Sequence, residues 1–312
     1  MIHIIKRKIR KLYHKYKYFG LFYQKLSRLK VDLLSKMSDE SYVKIKYKTS
    51  TGEKLRLNNP RSFNEKLQWL KLYYHVPLYT QLVDKYSVRE YVKEKIGEEY
   101  LTKCYGIYSR FEDIEFDKLP DKFVIKCTHD CGSVVLCDSK SKLDMRKIGR
   151  KLNTSLSHNY YYQSREWPYK NVIPRIIVEE YLEDRLTKDL NDYKFYCFNG
   201  VPKVFFISSG RKAGDLRLNY YDMKFHKLPF ECDYPNFERK IEKPKNFEKM
   251  IELAAKLSIG IPFVRVDFYN IEGRIVFGEM TFFDSGGAAV FKPKKWNYIL
   301  GKWIDLPAHK VL

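Results

Sequence analysis

Apolar and polar positions change period along this chain, and the changes mark its elements. Ile2, Ile5, Ile9, Leu12, Tyr16 and Phe19 recur at helical spacing, which predicts an amphipathic helix within residues 1–31. Residues 38–61 read as a connection carrying a short strand, Tyr42 to Tyr47. Ser62 and Glu65 have capping-box spacing and open a helix through about Tyr74, with Phe63, Leu67, Leu70 and Tyr74 on one face. Ser87 and Glu90 repeat the pattern, and Gly97 suits the end of that helix. Residues 120–138 predict strand, short polar loop, strand, and residues 141–163 predict helix.

The second half is richer in strands. Ile176 to Leu182 is a buried-type strand that runs into Glu179 and Glu180. Asp192 to Phe198 alternates, Asn199-Gly200 is a hairpin turn, and Val201 to Ser208 returns. Phe247 to Leu257 predicts an amphipathic helix ended by Gly260. Phe263 to Tyr269 and Arg274 to Thr281 then form a hairpin around Asn270–Gly273. A basic stretch, Lys292 to Lys302, follows.

That last hairpin carries the chemistry. Arg265 and Asp267 stand two apart and share a face, as do Glu279 and Thr281. Acids among Val, Phe and Ile are costly to bury without compensation. A divalent cation would supply it, and Mg²⁺ favours one or two carboxylates plus phosphate oxygens. The same residues also suit a hairpin with one wet face and an Arg265–Asp267 or Arg265–Glu279 ion pair. In the 120–138 unit, Lys126 ends a strand and Gly132-Ser133 allow backbone N–H groups to approach an anion. This is neither a GxxxxGK[ST] loop nor GxGxxG.

Composition narrows the partners. The 312 residues hold 59 Lys and Arg against 38 Asp and Glu, a net charge of +21. Such a field implies an anionic partner: nucleic acid, membrane surface, acidic polysaccharide or nucleotide. Residues 1–31 carry ten basic residues and no acid, which suits an anionic membrane surface or a docked helix with a solvated basic face. Six cysteines form no disulfide framework and predict reduced thiols in a reducing compartment; Cys127, His129, Cys131 and Cys137 lack paired zinc-knuckle spacing. No apolar window reaches 18 residues and no secretory h-region is present, so a cytoplasmic protein is expected, peripheral on the inner membrane face at most.

The motifs stand in an order that resembles the ATP-grasp superfamily, and within it the TupA-like ATP-grasp family found among bacterial cell-surface polysaccharide genes. Asp84-Lys85 precedes a helix, Phe-Val-Ile-Lys126 precedes the Gly-Ser loop, Glu179-Glu180-Tyr-Leu182 precedes Asp192-Tyr-Lys194, and Arg265-Val-Asp267 precedes Glu279-Met-Thr281. The resemblance covers roughly Ser62 to Asp305. It implies an α/β (α+β) fold in which two α/β subdomains with antiparallel sheets grip ATP, after an N-terminal helical region. The division would be 1–61, 62–178 with the Gly-Ser loop, and 179–312 with the metal site. The implied activity is an ATP-dependent carboxylate–amine ligase working through an acyl-phosphate with Mg²⁺. Lys85 and Lys126 resemble the phosphate-binding lysines, and the loop Asp130, Gly132, Ser133 the phosphate-covering loop. Glu179, Glu180 and Leu182 look like the adenine-holding hinge, with Asp192 or Lys194 near the ribose. Asp267 and Glu279 look like magnesium carboxylates and Arg265 like the arginine facing the acyl-phosphate. Many relatives have Glu-x-Asn where Thr281 stands, which weakens the case for a second metal.

The resemblance also suggests the substrates: an acidic sugar or polysaccharide, such as a uronate, and an amine. Arg211, Lys294 and Lys295 are candidates for holding the acidic acceptor. A glycosyltransferase of capsule or lipopolysaccharide assembly is an alternative, but the Asp-x-Asp donor motif is missing. A non-catalytic polyanion-binding module is another; no RRM, helix-turn-helix or zinc-finger signature supports it, and nucleic acid is not expected.

Overall fold

The computed structural model describes residues 36–183, 192–210 and 215–312. The expected basic helix of residues 1–31 lies outside the described residues. Antiparallel pairing builds both principal sheets. β1 (Cys104–Tyr108), β2 (Phe123–Cys127), β3 (Val135–Cys137) and β4 (Ile176–Glu180) form a four-stranded sheet in the order β1-β4-β2-β3. β5 (Asp192–Phe198), β6 (Val201–Ser209), β7 (Arg217–Asp222), β9 (Val264–Ile271) and β10 (Arg274–Thr281) form a five-stranded sheet ordered β10-β9-β5-β6-β7. β8 (Glu231–Cys232) pairs with β11 (Phe291–Lys292). The mixed α/β class with antiparallel sheets is as the sequence reads.

Local chemistry explains the joints. Asn199 and Gly200 have φ of 51° and 83°, the two left-handed positions that a tight β5–β6 hairpin demands. α2 (Phe63–Tyr73) begins with a complete capping box: Glu65 N–H donates to Ser62 Oγ at 3.2 Å, and Ser62 N–H to Glu65 Oε2 at 3.0 Å. α8 (Lys295–Lys302), built from the basic stretch, crosses the start of α2 so closely that a Cβ on Gly301 would meet Arg61 O at 2.4 Å. Only glycine fits there.

Beside a third cluster around Tyr42, Val43 and Tyr47, two cores hold most of the buried apolar residues described. The larger lies around the five-stranded sheet, where α7 (Phe247–Ser258) buries Phe247, Met250, Leu253, Ala254 and Leu257. The smaller joins Phe123, Ile125, Cys127, Ile176 and Val178 to Ile148 and Leu152 of α5 (Met145–Leu156), which the short α6 (Tyr161–Ser164) follows. α2, α3 (Leu78–Val83) and α4 (Val88–Lys95) precede the smaller sheet in sequence but pack in the larger core through Phe63, Leu67, Leu82 and Val92. Among the described residues no helix is long and apolar enough to cross a membrane.

Two local expectations are corrected. The stretch Tyr42 to Tyr47 is not a strand but part of α1 (Asp39–Thr51). Alternating apolar residues fit either period there, and the ends decide. Ser38 caps the helix through Ser41 N–H, Asp39 and Glu40 sit in the first turn, and Gly52 closes it at φ 77°. Tyr42, Val43 and Tyr47 are then buried while Ile45 is left 57% exposed. The Ser87–Glu90 capping box does not form. Ser87 Oγ instead donates to Asp84 Oδ2 at 3.0 Å, and Val88 N–H donates to Asp84 O. Ser87 itself takes helical angles, φ −67° and ψ −27°, and not the extended ones of a capping residue.

Candidate active site

The two sheets face each other across a cleft. On the smaller sheet, β2 alternates: Phe123, Ile125 and Cys127 enter the core, leaving Val124 and Lys126 to line a cavity of about 210 Å³. Lys126 Nζ lies 2.5 Å from Glu179 Oε2 on the neighbouring strand. Glu179 Oε1 accepts from Thr102 Oγ1 at 2.9 Å and from Arg89 of α4 at 3.2 Å. Burial works against the Glu179 charge, but Lys126 and Arg89 outweigh it and hold its pKa below the ordinary value. Glu179 is therefore an anchor for two cations. Glu180 makes a two-pronged pair with Arg274 at 2.7 and 2.9 Å.

Lys85 enters from the turn before α4. Its N–H donates to Thr128 O at 3.1 Å, and its Nζ donates to the Asp130 carbonyl. The loop holding Asp130 is stapled by its own polar groups. Ser133 Oγ donates to Asp130 Oδ1 at 2.6 Å and accepts from Cys127 N–H at 2.8 Å. Gly132, at φ 123° with open space around it, supplies the turn. Cavity walls beyond the cations are apolar: Leu101, Val124, Tyr181, Leu182 and Phe277 line it, as do Val134 and Leu136, which are 43% and 57% exposed. The cavity thus has an apolar end and a cationic end.

The opposite wall is built by strand register. Lys194, Asp267 and Glu279 occupy one cross-strand row of β5, β9 and β10. Tyr196, Arg265 and Thr281 occupy the next. A bulge between Phe277 and Glu279 sets the phase, so that Ile275 and Phe277 join the core while Glu279 and Thr281 face the cleft. Arg265 donates to Asp267 through Nε and Nη2, both at 2.7 Å, to Glu279 through Nη2 at 2.7 Å, and to Asp284 through Nη1 at 2.5 Å. Tyr196 OH holds the other Asp284 oxygen at 2.6 Å. Lys194 bonds Asp267 and lies 2.7 Å from Asp192, whose Oδ1 is buried without a partner among the described residues.

Among the described residues Asp192, Asp267, Glu279 and Asp284 make direct ion pairs with Lys194 and Arg265 alone, leaving two negative charges in excess within the cluster. Burial pushes the Asp267 carboxyl up, to about 6, against the pull of Arg265 and Lys194. Burial would raise Glu279 as well, but Arg265, Lys194, Lys85 and Lys126 together bring it down to about 2. Glu279 is 42% exposed, so it meets cations of both walls from an open position. Among the described residues no three His, Cys, Asp or Glu side chains converge as a complete metal cage. Mg²⁺ does not require one, since phosphate oxygens and water fill most of its shell. Two excess charges and an open carboxylate fit a divalent ion held by Asp267 and Glu279, with Thr281 at its edge.

The structure thus gathers Lys85, Lys126, Asp130, Gly132, Ser133, Glu179, Glu180, Leu182, Asp192, Lys194, Arg265, Asp267, Glu279 and Thr281 around one cleft and its margin. It adds Arg89, Thr102 and Asp284, which sequence reading missed. Arg89 reads as an ordinary helix-surface arginine, and Asp284 stands just beyond the recognised hairpin. Lys294 pairs with Glu53 at 2.6 Å and Lys295 is exposed on α8; neither lines the cleft. Arg211 lies outside the described residues. All six cysteines are free, with Cys131 exposed on the Asp130–Ser133 loop.

A profile of the TupA-like ATPgrasp family matches residues 65–305. No curated protein matches the chain. Among solved structures, D-alanine–D-alanine ligase from Bacillus anthracis complexed with ATP is similar at 15% identity and a TM-score of 0.37, covering 72% of this chain and 58% of that one. D-alanine–D-alanine ligase from Helicobacter pylori is similar at 13% identity and a TM-score of 0.41, covering 79% and 70%. L-Amino acid ligase from Bacillus licheniformis is similar at 15% identity and a TM-score of 0.39, covering 68% and 46%. The chain spans about three fifths of the Bacillus anthracis ligase.

Proposed function

This chain belongs to the TupA-like ATP-grasp family, and from that premise we propose that it is an ATP-dependent carboxylate–amine ligase. The carboxylate of an acidic sugar attacks the γ-phosphorus of ATP, releasing ADP and leaving an acyl-phosphate. An amine then attacks the acyl carbon, phosphate departs, and an amide remains. The acidic sugar is a uronate of a bacterial surface polysaccharide or its precursor. The enzyme works in the cytoplasm, with its basic N-terminal segment drawn to the inner membrane face.

The observation that carries this reading is the meeting of opposite charges across one cleft. Lys85 and Lys126 from one wall act on Glu279 of the other, strongly enough to help hold it at about 2. A triphosphate with its metal suits that arrangement: cations for the phosphate oxygens on one side, carboxylates for the ion on the other. The apolar end beside Leu182 and Leu136 suits a purine base. Bound Mg²⁺ would supply charge neutralisation of the phosphates. Lys126, aligned by Glu179, would hold a phosphate oxygen, and Arg265, fixed by three acids, would face the developing acyl-phosphate.

The test is ADP release with Mg²⁺ and a panel of uronates paired with amines. Wild-type protein should sustain ADP release over many turnovers only when both substrates are present. Lys126→Ala and Asp267→Asn should each lose ~10²–10³ in rate while melting cooperatively. Wild-type turnover in both variants would remove the site assignment.

A further inference from the structure

Past Arg265, Glu279 and Thr281 a second cavity opens, of about 340 Å³. The ATP reading leaves it unassigned. In a chain of charge +21 its charged lining is net negative, with Asp130, Glu166 and Glu279 against Lys46 and Arg265. Glu166 lines it at 6% exposure. The Glu166 carboxylate accepts one hydrogen bond, from Ser164 Oγ at 2.5 Å, and among the described residues no Lys, Arg or His nitrogen pairs with it. Two cations act on it from beyond ion-pair distance: Lys46, whose Nζ donates to the Gln163 carbonyl at 3.0 Å, and, more strongly, Lys71. The Lys71 Nζ donates to the carbonyls of Ser164 at 3.1 Å and Gly286 at 2.6 Å.

Tyr160 and Tyr169, with ring centroids 4.8 Å apart, line the same cavity. Arg265, at the cavity's edge, spends its Nε, Nη1 and Nη2 donors on Asp267, Asp284 and Glu279, so it offers a poor grip for a second carboxylate. A buried carboxylate with no direct ion pair among the described residues, beside aromatic rings, is a place for a cation. Burial also raises the Glu166 carboxyl, as expected of an acid whose partner is not yet present.

We propose that this cavity holds the amine substrate in its ammonium form, with Glu166 as counter-ion and Tyr160 and Tyr169 as walls. The assignment rests on the ligase reading above and deepens it. The volume is at the small end of ligand pockets, which run from about 300 to 1,000 Å³. The occupant is thus a single amino acid or amino sugar, not a stretch of glycan. The excess positive charge of the chain then serves the acidic partner, while the amine is selected by a local negative one.

The test is direct binding to the full chain with Mg²⁺ and a non-hydrolysable ATP analogue present. The probes are glucosamine, L-alanine and ethanolamine, each beside its N-acetyl form, followed by calorimetry or ligand-observed NMR. At least one amine should bind, and its N-acetyl form should not. Glu166→Gln should weaken that amine about 10- to 100-fold, Glu166→Asp should restore part of it, and nucleotide affinity should not change. Should Glu166→Gln fail to fold, Tyr160→Leu should weaken the amine about tenfold. Absence of amine binding to the wild type overturns the assignment, as do equal binding of the acetylated probes and full affinity in the variants. If the nucleotide itself fails to bind, the ligase reading falls and the assignment with it; lost amine selectivity with intact nucleotide binding overturns the assignment alone.

Discussion

Replacing Lys194 by methionine isolates the charge balance of the acid cluster. Methionine keeps most of the side-chain volume, so the change is mainly one of charge. Lys194 serves both Asp192 and Asp267 and is only 10% exposed. Its loss raises the excess from two negative charges to three, all against a low-dielectric wall. Removing one partner of a buried ion pair typically costs about 3–5 kcal/mol, because the other is left uncompensated. At a melting entropy of ~2.1 cal/mol/K per residue, the lower figure alone lowers Tm by about 5 °C in the presence of EDTA. The same excess makes the variant the better host for a divalent ion. Mg²⁺ at a hundred times its Kd adds about 2.7 kcal/mol, which returns most of the loss. Differential scanning calorimetry of wild type and Lys194→Met decides the matter, in EDTA, in Mg²⁺, and in NaCl matched for ionic strength. The rescue should be larger in the variant than in the wild type. A variant that melts with the wild type in EDTA, or that responds to Mg²⁺ no more than to NaCl, would refute the accounting.

Other consequences can be checked separately. Burial lowers the Lys71 pKa to about 8 from 10.5, so between those values the unfolded chain binds the extra proton and the folded chain does not. Stability contributed at this site must therefore rise with pH, by about 3 kcal/mol, and denaturant titrations from pH 8 to 10.5 should show that rise in the wild type relative to Lys71→Met. Cys131 is the exposed thiol on the Asp130–Ser133 loop; iodoacetamide should modify it before the buried Cys127 and Cys137, and an ATP analogue with Mg²⁺ should slow the reaction, as peptide mass mapping would show. Removing residues 1–31 should reduce co-sedimentation with anionic liposomes at low salt and leave nucleotide binding intact; equal sedimentation of both forms would count against membrane attraction.

The hairpin of β9 and β10 was legible because strand period, turn residues and paired acids all lie within one short stretch. Lys194 has a partner that position alone does not show. Sequence order suggests a residue near the ribose, but β5 pairs with β9 over a separation of some seventy residues, and that register brings Lys194 against Asp267. Arg89 and Glu166 were missed for the same reason: each acquires its meaning from a neighbour that a distant strand or turn supplies. The Tyr42 to Tyr47 error is of another kind. Aromatic and β-branched residues there satisfy both periods, and only the caps at Ser38 and Gly52 separate them.

Strict alternation would also have put Ile275, Phe277, Glu279 and Thr281 on a single face, and the bulge at Gly278 is what divides them. That feature has a consequence for how the gene tolerates lesions. Phe277 opposes Phe268 and Glu279 opposes Asp267, so Gly278 is a supernumerary residue in the ladder. A codon deletion at 278 leaves every remaining pair in place and yields a regular strand. A side chain at 278 is a different injury, since its Cβ would stand 3.1 Å from the Asp267 carbonyl oxygen. Deleting Met280 would instead turn Thr281 away from the cleft. In a library of in-frame lesions across this hairpin, loss of residue 278 should survive better than most of its substitutions, reversing the usual ranking of deletion below replacement.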